Sequence, residues 1–153
     1  VTAVPRVGGR IILVDHDERV LLINERIERG THWLTPGGGV EDGEHPRDAA
    51  AREVFEETGI EVADSGDAVL TTRRTWTWAG VSYDQTDHFF LARVPSGTPV
   101  TPHHLTEIEI QTLIGHRWWT LDELGTTDEF IEPAGFVAAL PGLIAGLPPV
   151  GGG

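Results

Sequence analysis

The sequence predicts a mixed α/β sandwich, and three observations carry that prediction. Short apolar runs bounded by turn residues recur on both sides of the chain's middle. Between them, residues 46–57 are rich in Ala, Glu and Arg and hold no Gly and no second Pro. A further helical stretch closes the chain after Pro133. Strands, one central helix, more strands and a final helix are the order expected of helices packed on a sheet. A length of 153 residues fits one domain over 1–147 with a loose tail at 148–153.

Each element follows from its local signals. Arg10–Val14 and Val20–Ile23 are apolar runs around His16-Asp17-Glu18-Arg19, which reads as the turn of a hairpin. Residues 25–31 read as a polar loop, and Trp33–Thr35 as a brief extended piece stopped by Pro36. Gly37-Gly38-Gly39 follows as a bare-backbone segment. Pro46 suits the first turn of a helix, where its missing N–H costs nothing, and Gly59 supplies the stop. Ile60–Val62, Ala68–Thr77, Val81–Gln85 and His88–Val94 read as strands, with Ala79-Gly80 as a turn. Residues 95–102 hold three prolines and form a loop. Glu107–Ile114 fits strand and helix periodicity alike. Arg117–Trp119 reads as extended, Leu121–Leu124 as a short helix, and Pro133–Ala145 as a last helix interrupted near Pro141-Gly142.

Composition excludes several functions. With 11 Lys+Arg against 24 Asp+Glu, the formal net charge is −13. Such a chain repels duplex nucleic acid and anionic membrane surfaces, so neither is an expected partner. A nucleotide substrate is still open, because a divalent metal reverses the local sign. The absence of cysteine excludes disulfides, thiolate metal sites and Cys nucleophiles. No cationic-then-apolar leader and no apolar run of about 18 residues is present, so the expected location is the cytoplasm.

The chemistry concentrates on the central helix. On a wheel of about 100° per residue, Glu53, Glu56 and Glu57 share one face, while Ala50, Ala51, Val54 and Phe55 fall on the neighbouring one. Three clustered carboxylates repel one another. Arg52, beside Glu53 and four residues before Glu56, can offset part of that charge. A hard divalent cation offsets more, and an all-oxygen donor set suits Mg²⁺ or Mn²⁺. The preceding glycines let backbone approach a metal or a phosphate.

Read as one string, the segment is Gly38, five residues, Glu44, seven residues, Arg52-Glu53-Val54, one residue, Glu56-Glu57, one residue, Gly59-Ile60. This resembles the box of the Nudix (MutT-like) hydrolases at every fixed position. A chance match to such a string is on the order of one in a million or less. Looser resemblance extends to Trp33–Gly38 before the box and to Arg117–Trp119 with Asp122-Glu123-Leu124 after it, spanning about residues 6–145.

The resemblance implies an α/β/α sandwich with a mixed sheet. It implies Mg²⁺- or Mn²⁺-dependent hydrolysis of the pyrophosphate linkage in a nucleoside diphosphate joined to another group. Carried over by motif position, Glu53, Glu56 and Glu57 are metal ligands, and Glu57 or Glu53 orients or deprotonates the water. Arg52 holds the glutamates, Glu44 braces the loop, and the carbonyl of Gly37 or Gly38 is a further candidate ligand. Family members often add a carboxylate from outside the box. Asp84, Asp87, Glu107 and Glu109 are the candidates, with Glu109 preferred for its place shortly before the Arg-Trp-Trp strand. Homodimers occur in the family, so a homodimer is a candidate assembly.

For the substrate, Trp76 and Trp78 stand two apart, so on a strand they share a face and could stack a base or cover a pocket. Arg73 and Arg74 are candidates for a substrate phosphate, with Arg74 preferred, and His103-His104 for phosphate contact or a lid. The Pro that ADP-ribose members carry downstream of the box is replaced here by Thr75-Trp76. The signatures of NADH-cleaving and coenzyme A members are missing as well. Nucleoside triphosphates, dinucleoside polyphosphates and RNA 5′ ends remain as substrate classes. The alternative to an enzyme is a non-catalytic Nudix-fold sensor that binds a nucleotide. The intact box weighs against it.

Overall fold

The backbone of β1 (Val4–Val14) is the hinge of the architecture, because it is shared by two halves of a divided sheet. In the computed structural model, residues 2–148 are described. The other elements are β2 (Val20–Ile27), β3 (Gly30–Leu34), β4 (Gly37–Gly39), α1 (Pro46–Thr58), β5 (Leu70–Trp78) and β6 (Val81–Arg93). They continue with α2 (Glu107–Thr112), β7 (Leu113–Trp119), α3 (Leu121–Thr126) and α4 (Phe136–Ala145). Residues 149–153 of the expected tail lie outside the described residues.

The sheet has the order β3-β2-β1-β6-β5, with β4 added to β1 and β7 to β2. It is mixed: β1 and β6 run parallel over their whole length, and the other pairs are antiparallel. β1 and β2 touch in the ladder only near Val14 and Val20. Beyond that point β1 pairs with β4, while β2 pairs with β3 and β7. The divergence opens a cleft whose walls are polar.

Alternation along β1 serves two cores. Ile11 and Leu13 pack with Ala50 and Val54 of α1, together with Phe90 and Ile60. Ile12 and Val14 face the other way, against Trp119, Leu124, Phe136 and Leu140 beneath α3 and α4. Helices therefore cover both faces, which is the expected α/β/α sandwich with a mixed sheet. α1 lies directly on the backbone of β1, since a Cβ at Gly9 would overlap the Pro46 carbonyl and Ala50. Its ends are set by local chemistry. His45 accepts from the Arg47 N–H at the start, and Gly59 at φ 74° closes the last turn through its N–H to the Phe55 carbonyl.

Several expectations are corrected. The stretch read as a polar loop is the end of β2 and the start of β3, joined by Ile27↔Gly30 pairing. The side chains there are polar because most of them face solvent at the β2–β3 turn, not because the backbone is irregular. Gly37–Gly39 is a strand, held to Gly8, Gly9 and Arg10 of β1. Ile60–Val62 joins no strand, and Ile60 is instead buried against the α1 face. Val81–Gln85 and His88–Val94 are one strand, because Thr86 and Asp87 stay in register with β1 and β5. Glu107–Ile114 divides into α2 and the start of β7, with a reciprocal Thr106–Glu109 cap fixing the helix. The last helix starts at Phe136 rather than Pro133 and continues through Pro141. Among the described residues, no helix is long and apolar enough to cross a membrane.

Candidate active site

Two turns of α1 and the first turn of α2 meet at one end of the cleft. Carboxylate oxygens of Glu53, Glu57 and Glu109 lie within 4.8 Å of one another. Glu57 is 6% exposed, and Glu53 and Glu109 are partly buried. Glu56 stands outside this trio, with Oε2 3.6 Å from Arg52 Nη1. Glu109 arrives from far along the chain because the loop before α2 is pinned to the end of α1. The Thr101 N–H donates to the Thr58 carbonyl, and the His103 and His104 N–H groups donate to that of Glu56. These contacts also satisfy carbonyls that a helix C-terminus leaves open.

Arg52 organises the rest. Its Nε and Nη2 donate to the two oxygens of Glu44, both at 3.0 Å. Nη2 also donates to the Gly39 carbonyl at 3.0 Å, and Nη1 to Glu53 at 2.9 Å. Glu44 in turn accepts from the Glu41 N–H at 3.1 Å. One guanidinium thus ties the loop after β4, β4 itself and the acidic face of α1 into a single unit. The Arg52 hydrogen bonds hold the Glu44 carboxyl below its ordinary range.

Glu57 and Glu53 behave oppositely. Burial pushes the Glu57 carboxyl well above the ordinary carboxylate range, and neighbouring Glu109, Glu25 and Glu53 add to the rise while Arg10 opposes it. Burial also raises Glu53, against the pull of Arg52. Three hard oxygen donors, mutually repelling and shielded from water, fit a divalent cation of the Mg²⁺ or Mn²⁺ type. The glycines fit it as well. A Cβ at Gly38 would run into the Glu53 carboxyl, and one at Gly37, where φ is 155°, into Gly9 and Arg10.

The cleft continues on the α4 side of the sheet as a charged pocket. Arg10, Arg74, Asp87 and Glu132 line it with Leu34, Thr35, Phe89 and Pro133. Arg10 donates to the Thr35 carbonyl at 2.7 Å and stands 3.5 Å from Asp87, which is 2% exposed. Arg74 links Asp87 and Glu132, each at 3.4 Å. His32 lies 3.6 Å from Glu132 and 4.0 Å from Glu25. Burial alone would lower its imidazole, but the two carboxylates raise it above the ordinary value.

The remaining candidates scatter. Trp76 stacks on Tyr83 with ring centroids 4.4 Å apart and donates to Gln85 at 3.0 Å. Trp78 is 38% exposed at the end of β5. Asp84 is paired with Arg73 on the surface, and Asp87 belongs to the charged pocket. Glu107 is not among the clustered carboxylates, and His103 packs on Phe55. Sequence reasoning passed over Arg6, Arg10, His32, Tyr83 and Glu132. The spacing of Arg6, Gly8 and Arg10 ahead of Ile12 was the available signal. It puts two cations on one strand face that turns apolar only later.

Comparison with known proteins accords with this geometry. Residues 4–140 match the NUDIX domain. Nudix hydrolase 25 of Arabidopsis thaliana is 31% identical over 130 residues, covering 78% of this chain and 73% of that protein. The m7GpppN-mRNA hydrolase dcap-2 of Caenorhabditis elegans is 30% identical over 131 residues, covering 84% of this chain. This chain spans 15% of the length of dcap-2. Among solved structures, a MutT NUDIX hydrolase from Burkholderia pseudomallei superimposes with a TM-score of 0.66 at 26% identity, over 90% of this chain and 96% of that one.

Proposed function

This chain belongs to the Nudix hydrolase family, and on that premise we propose that it is a pyrophosphohydrolase acting on a nucleoside diphosphate linked to another group. The observation that carries the reading is the convergence of Glu53, Glu57 and Glu109 within 4.8 Å, on a helix braced by Arg52.

Glu53, Glu56, Glu57 and Glu109 would hold Mg²⁺ or Mn²⁺, with the carbonyl of Gly37 or Gly38 as a further donor. When bound, the metal neutralises charge on the phosphates and lowers the pKa of a water. Glu57 or Glu53 would orient or deprotonate the attacking water as its oxygen bonds to phosphorus. The bridging P–O bond breaks, and its electron pair leaves with the departing phosphate. Arg52 and Glu44 keep the carboxylates in place through the bonds described above, so little reorganisation is needed as charge shifts. Arg74, Trp76 and Trp78 are the substrate-side residues, on the sheet face beyond the glycines. The relative dcap-2 is an m7GpppN-mRNA hydrolase, which keeps polyphosphorylated nucleotide ends among the substrates to be tried.

The test is a turnover screen with Mg²⁺ and with Mn²⁺. The panel holds nucleoside triphosphates, dinucleoside polyphosphates, nucleotide sugars and 5′-triphosphorylated RNA. Glu57→Gln should lose about 10²-fold or more in rate while its circular dichroism spectrum stays that of the wild type. A folded Glu57→Gln that keeps full activity removes the role given to Glu57. Tight binding without any turnover would replace the hydrolase reading with a nucleotide-binding module.

A further inference from the structure

Arg6 occupies a place that neither the box nor the charged pocket explains. Across the sheet in the order β4, β1, β6, β5 stand Gly39, Arg6, Tyr83 and Trp76. They share one face. Gly39 pairs with Gly8, whose neighbour on the same face of β1 is Arg6, and Tyr83 pairs directly with Trp76. A Cβ at Gly39 would lie 2.9 Å from Arg6 Nη2, so the guanidinium touches β4. Its other side meets the aromatic pair, with Cζ 5.5 Å from the Trp76 centroid and 5.4 Å from that of Tyr83. The two rings are themselves only 4.4 Å apart. The cation thus lies over both rings at near-equal distances and engages the pair as one unit.

The charge of Arg6 is otherwise unspent. Arg52, Arg73 and Arg74 each have carboxylate partners. Among the described residues, Arg6 has none within 4.0 Å, in a chain of net charge −13. Its neighbour across the strand, Gln85, is turned away to Trp76 and Asp87. A guanidinium held by aromatic faces keeps its five N–H donors for an anion. Three strand spacings separate β4 from β5, roughly 14 Å. The Glu53 carboxyl lies against Gly38, the neighbour of Gly39 in β4, on the opposite side of that strand.

We propose that Arg6 is a substrate-binding residue that grips a phosphate of a nucleotide whose base stacks on the Trp76–Tyr83 pair, delivering the next phosphates around β4 to the carboxylates. This rests on the hydrolase reading above and adds to it a residue and a direction of binding. It also sets a substrate class, nucleotides with an aromatic base, over polyphosphates lacking one. The indole and phenol faces supply stacking without hydrogen-bond readout, so base identity should matter little at this position.

Calorimetry on the full chain with Mg²⁺ tests it, using α,β-methylene-ATP and inorganic tripolyphosphate as probes. Arg6→Ala should weaken both probes by about fivefold or more, and Arg6→Lys should recover part of the loss. Trp76→Leu should weaken the methylene analogue by more than it weakens tripolyphosphate, because only the analogue has a base to stack. Equal binding by wild type and a folded Arg6→Ala overturns the proposal, as does a wild type that fails to bind the analogue. If Arg6→Ala unfolds, Arg6→Gln carries the same comparison. The analogue cannot be cut between its α and β phosphorus atoms, and a phosphate-release assay run beside the titration reports any cleavage of its β–γ bond or of tripolyphosphate, so binding is read separately from turnover. An inert wild type that binds through Arg6 sinks only the hydrolase reading. An active one whose Arg6→Ala binds normally sinks only this inference.

Discussion

Glu57 shows how one side chain can carry opposing demands. It is buried among Glu25, Glu53 and Glu109, and the same burial that disfavours its charge makes it a strong ligand once a cation arrives. The consequence is proton-linked metal affinity. Glu57 and Glu53 bind protons more tightly in the folded protein than ordinary carboxylates do, so a cation must displace those protons. Mg²⁺ affinity should therefore rise with pH and fall as acid protonates the pair. Calorimetry in buffers of different ionisation enthalpy should register proton release, and pH-independent binding without release would contradict the raised carboxyls. The box residues were legible in the sequence because their spacing alone sets a shared helix face. Arg10 was not. Its role depends on Asp87, 77 positions away by residue number (87 − 10), which meets it only through the parallel β1–β6 register.

Among the elements, α1 could be read nearly to the residue, since Pro46, Gly59 and the apolar stripe are all local signals. β4 could not, because three glycines carry no strand propensity and are paired only by what β1 offers them. The same close approach places α1 on Gly9. Gly9→Ala should cost about 1–3 kcal/mol in chemical denaturation, since its methyl would meet the Pro46 carbonyl and Ala50 rather than open space. Gly125→Ala makes a contrasting control, as nothing lies near its Cβ and its backbone is helical. On the other side, His32 ties β3 to β2 through Glu25 and to the segment after α3 through Glu132. Its folded pKa is raised, so the support it gives is fully present below the ordinary histidine pKa of about 6.5. That support is lost as pH rises through the folded value. Thermal melts of wild type and His32→Gln should differ most in mild acid and converge in alkali. A gap that stays constant with pH would mean the imidazole acts by packing alone.

The whole molecule is a compromise between a stable sheet and a charged centre. The α/β sandwich class was legible because the succession of strands, central helix, strands and final helix can be read from local signals. The fusion of β6 was hidden because Asp87 looks like an interruption until Arg10 and Arg74 are set beside it. A net charge of −13 and a carboxylate trio in which Glu57 is buried both favour cation binding over the bare protein. Without metal, Glu57→Gln should raise the melting temperature by a few degrees; with Mg²⁺ the wild type should regain the lead. A variant less stable than wild type in chelator would show that Glu57 contributes more by its hydrogen-bonding shape than it costs by its charge. The pinned loop between β6 and α2 has a bearing on how this chain could change length. Thr101, His103 and His104 are fastened to the end of α1, and Glu109 follows five residues after the last of these. Extra residues inserted at Pro95–Pro99 would only lengthen a slack arm ahead of the fastening. One residue added between His104 and Glu109 would carry the third carboxylate out of reach, so the short stretch works as a ruler and the longer one as spare thread.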